Sequence, residues 1–397
     1  MSSSDAVVVV GSGLAGYNMA RELRKLDANV PIVVVSRDHA GFYSKPMLSN
    51  ALAGKKTPAT LVMKNAEKMA GEINARVLPH TGVDSIDTAA RTITLSSGEV
   101  LAYRDLVLAL GADPIRLPLK GDAADTVLSV NDLDDFAKFA EALDTAAAGQ
   151  PARRVVILGA GLIGCEFAND LLARDIHPTV IDLAERPLPR LLPVQASQRL
   201  QAKLEAAGAQ FRFGTGVASV DLAAPGTDAR LTVTLTDGST LPADIVLSAI
   251  GLRPRTHLAT EAGVLTGQGV MVNRQLATNR EHVYAIGDCA EVDGHCLPYV
   301  LPLMAQARAL ANTLAGNPTA VNYPAMPVVV KTPAWPTVVC PPPATTPGQW
   351  AVTETDDGIE ARFTASDQPE QLLGFVLQGK AVSQRQALAA QVPSLLA

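Results

Sequence analysis

Residues 7–24, VVVVGSGLAGYNMARELR, return 148 positions later as VVILGAGLIGCEFANDLL at 155–172, with eight identical positions that include every glycine of a G-x-G-x-x-G pattern. Each copy runs from a short apolar stretch through the glycines into a helix-forming stretch, the order that lays a pyrophosphate on a helix N-terminus. The first glycine of each set (Gly11, Gly159) permits the tight strand-to-helix turn. The second (Gly13, Gly161) lets the backbone approach the phosphates without a Cβ in the way, and the third (Gly16, Gly164) lets helix pack on strand. A duplicated fingerprint commits most of the chain to an α/β fold with two Rossmann-like dinucleotide-binding units. Two nucleotides in one chain point to electron transfer between them.

The pattern around each fingerprint repeats as well. In the first unit a strand at 6–10, a helix at 14–26 and a strand at 31–36 lead into the loop GFYSKPMLSNALAGKK and a further helix. Period-2 segments at 91–95 and 100–103, joined by Ser97-Gly98, read as part of an antiparallel hairpin, and DLVLALGADP at 105–114 closes the unit. The second unit reads strand 154–158, helix 162–173, strand 178–182, helix 194–207 and strand 210–213, then a hairpin around Asp237-Gly238 and ADIVLSAIGLRP at 243–254. YAIGDCAE at 284–291 returns to the first sheet, and a helix over about 302–315 leads into a Pro-rich segment and a small α+β third unit. The expected division is therefore a discontinuous first domain (1–113 and 243–318), a second (114–242) and a C-terminal one (319–397). From the sequence the third unit is either a dimerisation or covering domain, or a partner-docking one.

Composition excludes several function classes. A net charge of −6 and 18% charged residues give no basic footprint for nucleic acid. The apolar runs are strand-length, far short of the ~20 residues a membrane-spanning helix needs. MSSSDA leads directly into the first strand without a secretory apolar region, so a cytoplasmic chain is expected. The four cysteines, Cys165, Cys289, Cys296 and Cys340, have neither C-x-x-C nor zinc spacing, and no metal site is expected.

Carboxylates at strand ends carry the next information, because they accept hydrogen bonds from ribose hydroxyls. Asp182 stands 23 residues after Gly159 and would repel a 2′-phosphate, which favours NADH over NADPH at the second site. Arg186 is either a surface arginine or a guanidinium able to receive that phosphate. In the first copy Ser36-Arg37-Asp38 replaces a directly placed carboxylate. The Ser36 hydroxyl, the backbone and Arg37 stacking on adenine would take over, with Asp38 read as a solvated loop residue. Asp288 of YAIGDCAE, a carboxylate at a strand end facing a helix N-terminus, is placed to bind a ribityl chain.

A first G-x-G-x-x-G, a second fingerprint and a later G-D resemble, over residues 5–318, the flavoprotein reductases with two dinucleotide-binding domains, which hold FAD in the first site and NAD(P)H in the second. YSKPMLS, YRDLVLA, GAGLIGCEFANDL, GLRPRT, YAIGDCAEVDG and VVVKTPAWP extend the likeness over the whole chain to the rubredoxin reductases, NADH-dependent FAD enzymes. That resemblance implies FAD contacts from Leu14, Ala15, Pro46 and Val83, from Ala109, Leu110, Gly111 and Arg116, and from Gly251, Gly287 and Asp288. It implies NAD(P)H contacts from Leu162 and Ile163 in the second site, and a helix starting at Val300 whose positive end faces the flavin pyrimidine. Lys45 and Glu166 are the implied catalytic pair near flavin N5, joined in an ion pair. Lys331 either approaches the flavin or caps the third unit.

The disulfide reductases of this superfamily carry a C-x4-C pair, and related oxidases a single reactive cysteine, in the loop that here reads GFYSKPMLS. Without a thiol relay, hydride transfer from NADH to FAD would be followed by single-electron delivery to rubredoxin, an acidic partner. Lys45, Lys55, Lys56, Lys64, Lys68 and Arg76, against Glu67 and Glu72, would supply a positive docking stretch or else an ordinary solvated face. A ferredoxin reductase of an oxygenase system, or a flavoprotein that senses NAD(H), are the competing readings.

Overall fold

The computed structural model describes residues 5–145, 152–343 and 346–396. Its first sheet is built on Val7–Val10, four β-branched residues buried on both faces, as a central parallel strand requires. Ile32–Val35 and Arg76–Leu78 lie to one side of that strand, Asp105–Leu108 and Val283–Ala285 to the other, all parallel. The second sheet repeats the plan. Val155–Leu158 is flanked by Thr179–Asp182 and Gln210–Phe213 on one side and by Ile245–Ser248 and Leu128–Ser129 on the other, again all parallel.

The first sheet thus completes itself with a strand from beyond the second unit, whereas the second takes its edge strand from just ahead of its own fingerprint. Residues 128–129 precede the second fingerprint, and residues 283–285 follow the whole second unit. The two connections that make these crossings, Ala112–Pro114 and Leu252–Pro254, pair antiparallel with each other. Because Ile245–Ser248 pairs with Val155–Leu158, the second unit extends past the expected boundary at residue 243. Asp244, 1% exposed, seals that join by accepting the backbone N–H groups of Arg153 and Arg154.

Each unit also carries a three-stranded antiparallel sheet, Val83–Asp87 with Thr92–Leu95 and Val100–Ala102, and Val217–Leu222 with Leu231–Leu235 and Thr240–Ala243. The loop GFYSKPMLSNALAGKK is not irregular throughout. Lys45–Asn50 form a 3-10 helix, with Pro46 in its first turn where a missing N–H costs nothing.

The third unit is an antiparallel sheet in the order 328–330, 337–340, 372–379, 358–365, 348–355, followed by a short helix. Its apolar face is continuous with the second unit: Val330, Trp335, Val339, Ile359 and Val376 share one buried cluster with Leu188, Leu192, Leu200 and Leu204. Lys203 places its ammonium 4.7 Å from the Trp335 ring, and Gln378 donates to the Ala196 carbonyl at 2.9 Å. The third unit therefore covers the second. Among the described residues no helix is long and apolar enough to cross a membrane.

Candidate active site

Both glycine loops have the geometry their sequences call for. Gly11 adopts φ +118°, and a Cβ there would lie 2.1 Å from the Ala109 carbonyl oxygen. A Cβ on Gly16 would meet the Gly11 oxygen at 2.1 Å, and one on Gly164 the Gly159 oxygen at 1.8 Å, so only glycine lets each helix start this close to its strand. Gly13 and Gly161, the N-caps of the helices Leu14–Leu26 and Leu162–Leu172, face open space instead. Neither helix has a side-chain cap or an acidic residue in its first turn. Both therefore offer free N–H groups and a positive end to an anion.

The strand-end carboxylates differ between the copies. Asp182 accepts from Ala160 N at 2.6 Å and Ala184 N at 2.7 Å, closing the second glycine loop directly. In the first copy Asp38 is not simply solvated. It accepts from the Ser36 hydroxyl (2.6 Å), the Ser12 hydroxyl (3.3 Å) and Ala40 N (2.8 Å), and so ties the first loop to the second strand through two hydroxyls. Arg186 turns its guanidinium toward the Pro189 carbonyl, at 3.4 Å.

Around the first loop the structure gathers Gly287, Asp288 and Lys45. Gly287 lies against Ala15, where its own Cβ would come within 2.7 Å, and its N–H donates to Gln306 Oε1 at 2.6 Å. Gln306, 2% exposed, donates in turn to the Tyr323 hydroxyl at 2.7 Å. Asp288 is thereby fixed beside the first fingerprint helix, with Lys45 Nζ 3.5 Å from its Oδ2. Nearby, Val300 and Leu301 begin an uncapped helix, Val300–Leu314, and are 38% and 50% exposed.

The expected Lys45–Glu166 ion pair is not formed. Glu166, 3% exposed, pairs with Lys331 of the third unit, accepts Lys331 N at 3.0 Å and accepts the Ser49 hydroxyl at 2.6 Å. The 3-10 turn presents its first residue, Lys45, to Asp288 of the G-D segment and its fifth, Ser49, to Glu166. One turn further along the second fingerprint helix, Asp170 accepts Leu52 N (2.9 Å) and Ala53 N (2.8 Å). Burial holds its carboxyl above the usual carboxylate range, those two donors oppose the rise, and Glu166 adds to it.

The remaining expected site residues range from the first glycine loop, against which Ala109 lies, to the surface. Ala109, Leu110 and Gly111 follow strand 105–108, and Arg255 donates to the Leu110 carbonyl at 2.8 Å. Gly251, at φ +119°, accepts Ile115 N at 3.0 Å. Val83 opens the first antiparallel sheet. Arg37, 64% exposed, stands 3.7 Å from Asp113, and Arg116 is exposed. Of the basic stretch, Lys64 pairs with Glu72 and Arg76 with Glu99 (3.1 Å), which leaves Lys55, Lys56 and Lys68 without an ion pair among the described residues. Burial raises the thiols of Cys165, Cys289 and Cys340, the last two to about 11, so none of these three presents a thiolate at neutral pH.

Gln306, Tyr323, Ser49, Asn169 and Asp170 were not singled out from the sequence. Gln306 occupies a core-facing position among Leu303, Ala307 and Leu310, and a polar residue at such a position demands a partner. Glu166, Asn169 and Asp170 give the same signal in an otherwise apolar helix.

A model of the pyridine nucleotide-disulphide oxidoreductase family matches residues 5–311. The chain belongs to that family. It is accordingly an oxidoreductase that works with FAD and NADH, and its two uncapped helix ends above open glycine loops fit dinucleotide pyrophosphates. A second model, the rubredoxin binding C-terminal domain, matches residues 320–392. Among relatives of this family member, the rubredoxin-NAD(+) reductase of Acinetobacter baylyi is 48% identical over 394 residues, covering 98% of each chain. That of Alcanivorax borkumensis is 46% identical over 390 residues, covering 98% of this chain and 99% of its own. The crystal structure of the ferredoxin reductase for the CYP199A2 system from Rhodopseudomonas palustris superposes with a TM-score of 0.86 at 26% identity, covering 98% of this chain and 95% of that one.

Proposed function

We propose that the chain is a cytoplasmic NADH:rubredoxin oxidoreductase, with FAD on the first glycine loop and the nicotinamide dinucleotide on the second. The observation that carries this reading is the third unit. It matches a rubredoxin-binding family, and its Lys331 reaches into the junction between the two dinucleotide units to meet Glu166. A ferredoxin reductase shares the architecture of all three units, so what favours rubredoxin is the match of residues 320–392 to a rubredoxin-binding family, not the fold of the third unit.

FAD, when bound, supplies a centre that takes up electrons in a pair and gives them up singly. The protein does the rest. Gly11, Gly13 and Gly16 would admit the FAD pyrophosphate to the N–H groups of Leu14 and Ala15, and Asp288, held through Gly287 by Gln306, would accept from the ribityl hydroxyls. Helix Val300–Leu314 starts without a side-chain cap, and its positive end would face the flavin pyrimidine. Gly159, Gly161 and Gly164, with Leu162 and Ile163, receive the nicotinamide dinucleotide, and both Asp182 oxygens keep lone pairs for its ribose hydroxyls. Lys45 and Lys331 are the cations near the site, each neutralised by its own carboxylate, Asp288 and Glu166. The free cysteines and their raised thiols fit a reducing compartment and electron flow without a thiol relay.

The test is anaerobic stopped-flow: the FAD-loaded protein is mixed with NADH or NADPH, then with rubredoxin or ferredoxin. Faster bleaching by NADH and faster reoxidation by rubredoxin are expected. Preference for ferredoxin would replace the acceptor, and failure of either nucleotide to bleach the flavin would end the reading.

A further inference from the structure

The second fingerprint helix turns one polar face toward both of its neighbouring units. Glu166, Asn169 and Asp170 stand at i, i+3 and i+4, the spacing that brings side chains together on one side of a helix. They are 3%, 8% and 1% exposed. Their oxygens take backbone N–H groups from two other parts of the chain. Asp170 accepts Leu52 and Ala53 at 2.9 and 2.8 Å, Glu166 accepts Lys331 at 3.0 Å, and Asn169 accepts Ala334 at 3.0 Å. Leu52 and Ala53 end the segment that begins at Lys45, and Lys331 to Ala334 form the turn of the third unit that faces the junction. A buried carboxylate is tolerated only while donors fill its lone pairs. These two segments are therefore fastened to the helix, while its opposite end, Gly161 to Gly164, faces the second nucleotide.

We propose that Asn169 and Asp170 are positioning residues through which occupancy of the second dinucleotide site is passed to segment 45–53 and to turn 331–334. The proposal rests on the assignment of residues 159–164 to NAD(H). A short helix moves as one body, so a dinucleotide that settles its N-terminus also settles the acceptors one to two turns further on. Lys45 and Lys331, at the ends of the two fastened segments, then take their places when the nucleotide is present.

Amide hydrogen exchange read by mass spectrometry on the FAD-loaded protein, with and without NAD+, tests this. NAD+ is expected to slow exchange over 159–164 and also, by about fivefold or more, the low end of ordinary coupling between sites, over 49–56 and 331–336. Asp170→Asn should lose the slowing at 49–56 and Asn169→Ala the slowing at 331–336, each keeping it at 159–164. Each variant reads a different segment, so one that fails to fold leaves the other informative. Protection confined to 159–164 in the wild type, or retained at both segments in both variants, would overturn the proposal. No protection at 159–164 would remove it together with the NAD(H) assignment.

Discussion

The two dinucleotide units share sheet order, glycine geometry and an attached antiparallel sheet, yet they close their loops and anchor their helices differently. In the second, Asp182 grips Ala160 N directly; in the first, Asp38 works through the hydroxyls of Ser12 and Ser36. The fingerprint position that reads Ser12 in one copy and Ala160 in the other thus goes with two ways of doing one task. The helices differ further. Leu14–Leu26 buries Tyr17, Met19, Ala20 and Leu23 and packs on helix Val300–Leu314. Leu162–Leu172 buries Glu166, Asn169 and Asp170 as well. The copy proposed for the resident cofactor is sealed by apolar packing, and the copy proposed for the exchanging substrate is held by polar contacts to its neighbours.

The sharpest break in that comparison is at equivalent helix positions. Glu166→Ala strands the Lys331 ammonium and should cost about 3 kcal/mol, the lower end for a broken buried pair because Lys331 keeps a quarter of its side chain exposed. Asn18→Ala, which loses only a bond from Asn18 to the Leu14 carbonyl, should stay within about 0.5 kcal/mol. Urea melts of the FAD-loaded proteins measure both.

Next come the third glycines. Gly16→Ala and Gly164→Ala each force a Cβ into a carbonyl oxygen, an overpacking worth about 1–3 kcal/mol. The first should yield protein that loses its flavin colour on gel filtration. The second should stay coloured but bleach with NADH roughly 10 to 100 times more slowly.

The carboxylates should separate by ligand. Asp182→Ala should raise the KM for NADH about tenfold, the scale of one charged hydrogen bond, and narrow the gap to NADPH. Asp38→Ala should weaken FAD retention at an unchanged KM for NADH. Titration of each variant with NADH, NADPH and free FAD checks the split.

The smallest effect belongs to the exposed lysines. Reversing Lys55 and Lys56 to Glu should slow rubredoxin reduction a few-fold at low salt and flatten its salt dependence, as rim charges act mainly on encounter. Reduction of ferricyanide should not change. An unaltered salt slope would remove this stretch from the docking surface and leave that role to the third unit.

Both glycine loops, their strands and helices and the G-D segment were legible because each is a local pattern, an apolar run followed by glycines at fixed spacing. The partners of Lys45 and Glu166 were not. Lys45 lies 243 positions from Asp288, and Glu166 lies 165 from Lys331, so the pairing depends on how three units dock rather than on any local rule. Asp38 was misjudged in part for a similar reason: Ser36 and Ala40 are local partners, but Ser12 sits on the glycine loop that only the parallel sheet brings alongside. The boundary at 243 cut into ADIVLSAIGLRP, the run that ends the second unit, and its strand Ile245–Ser248 completes the second sheet.

That interleaving has a consequence for how the chain is made. The first sheet waits for Val283–Ala285, about 175 residues after Asp105–Leu108 has emerged, an interval of roughly 9–35 s at ordinary synthesis rates. During that time the strand at 105–108 has an open edge, and every strand of the second sheet is synthesised within the same interval. All residues of the second sheet are thus made before the first sheet can close, and the first glycine loop gains its Asp288 only after the whole second unit has been synthesised.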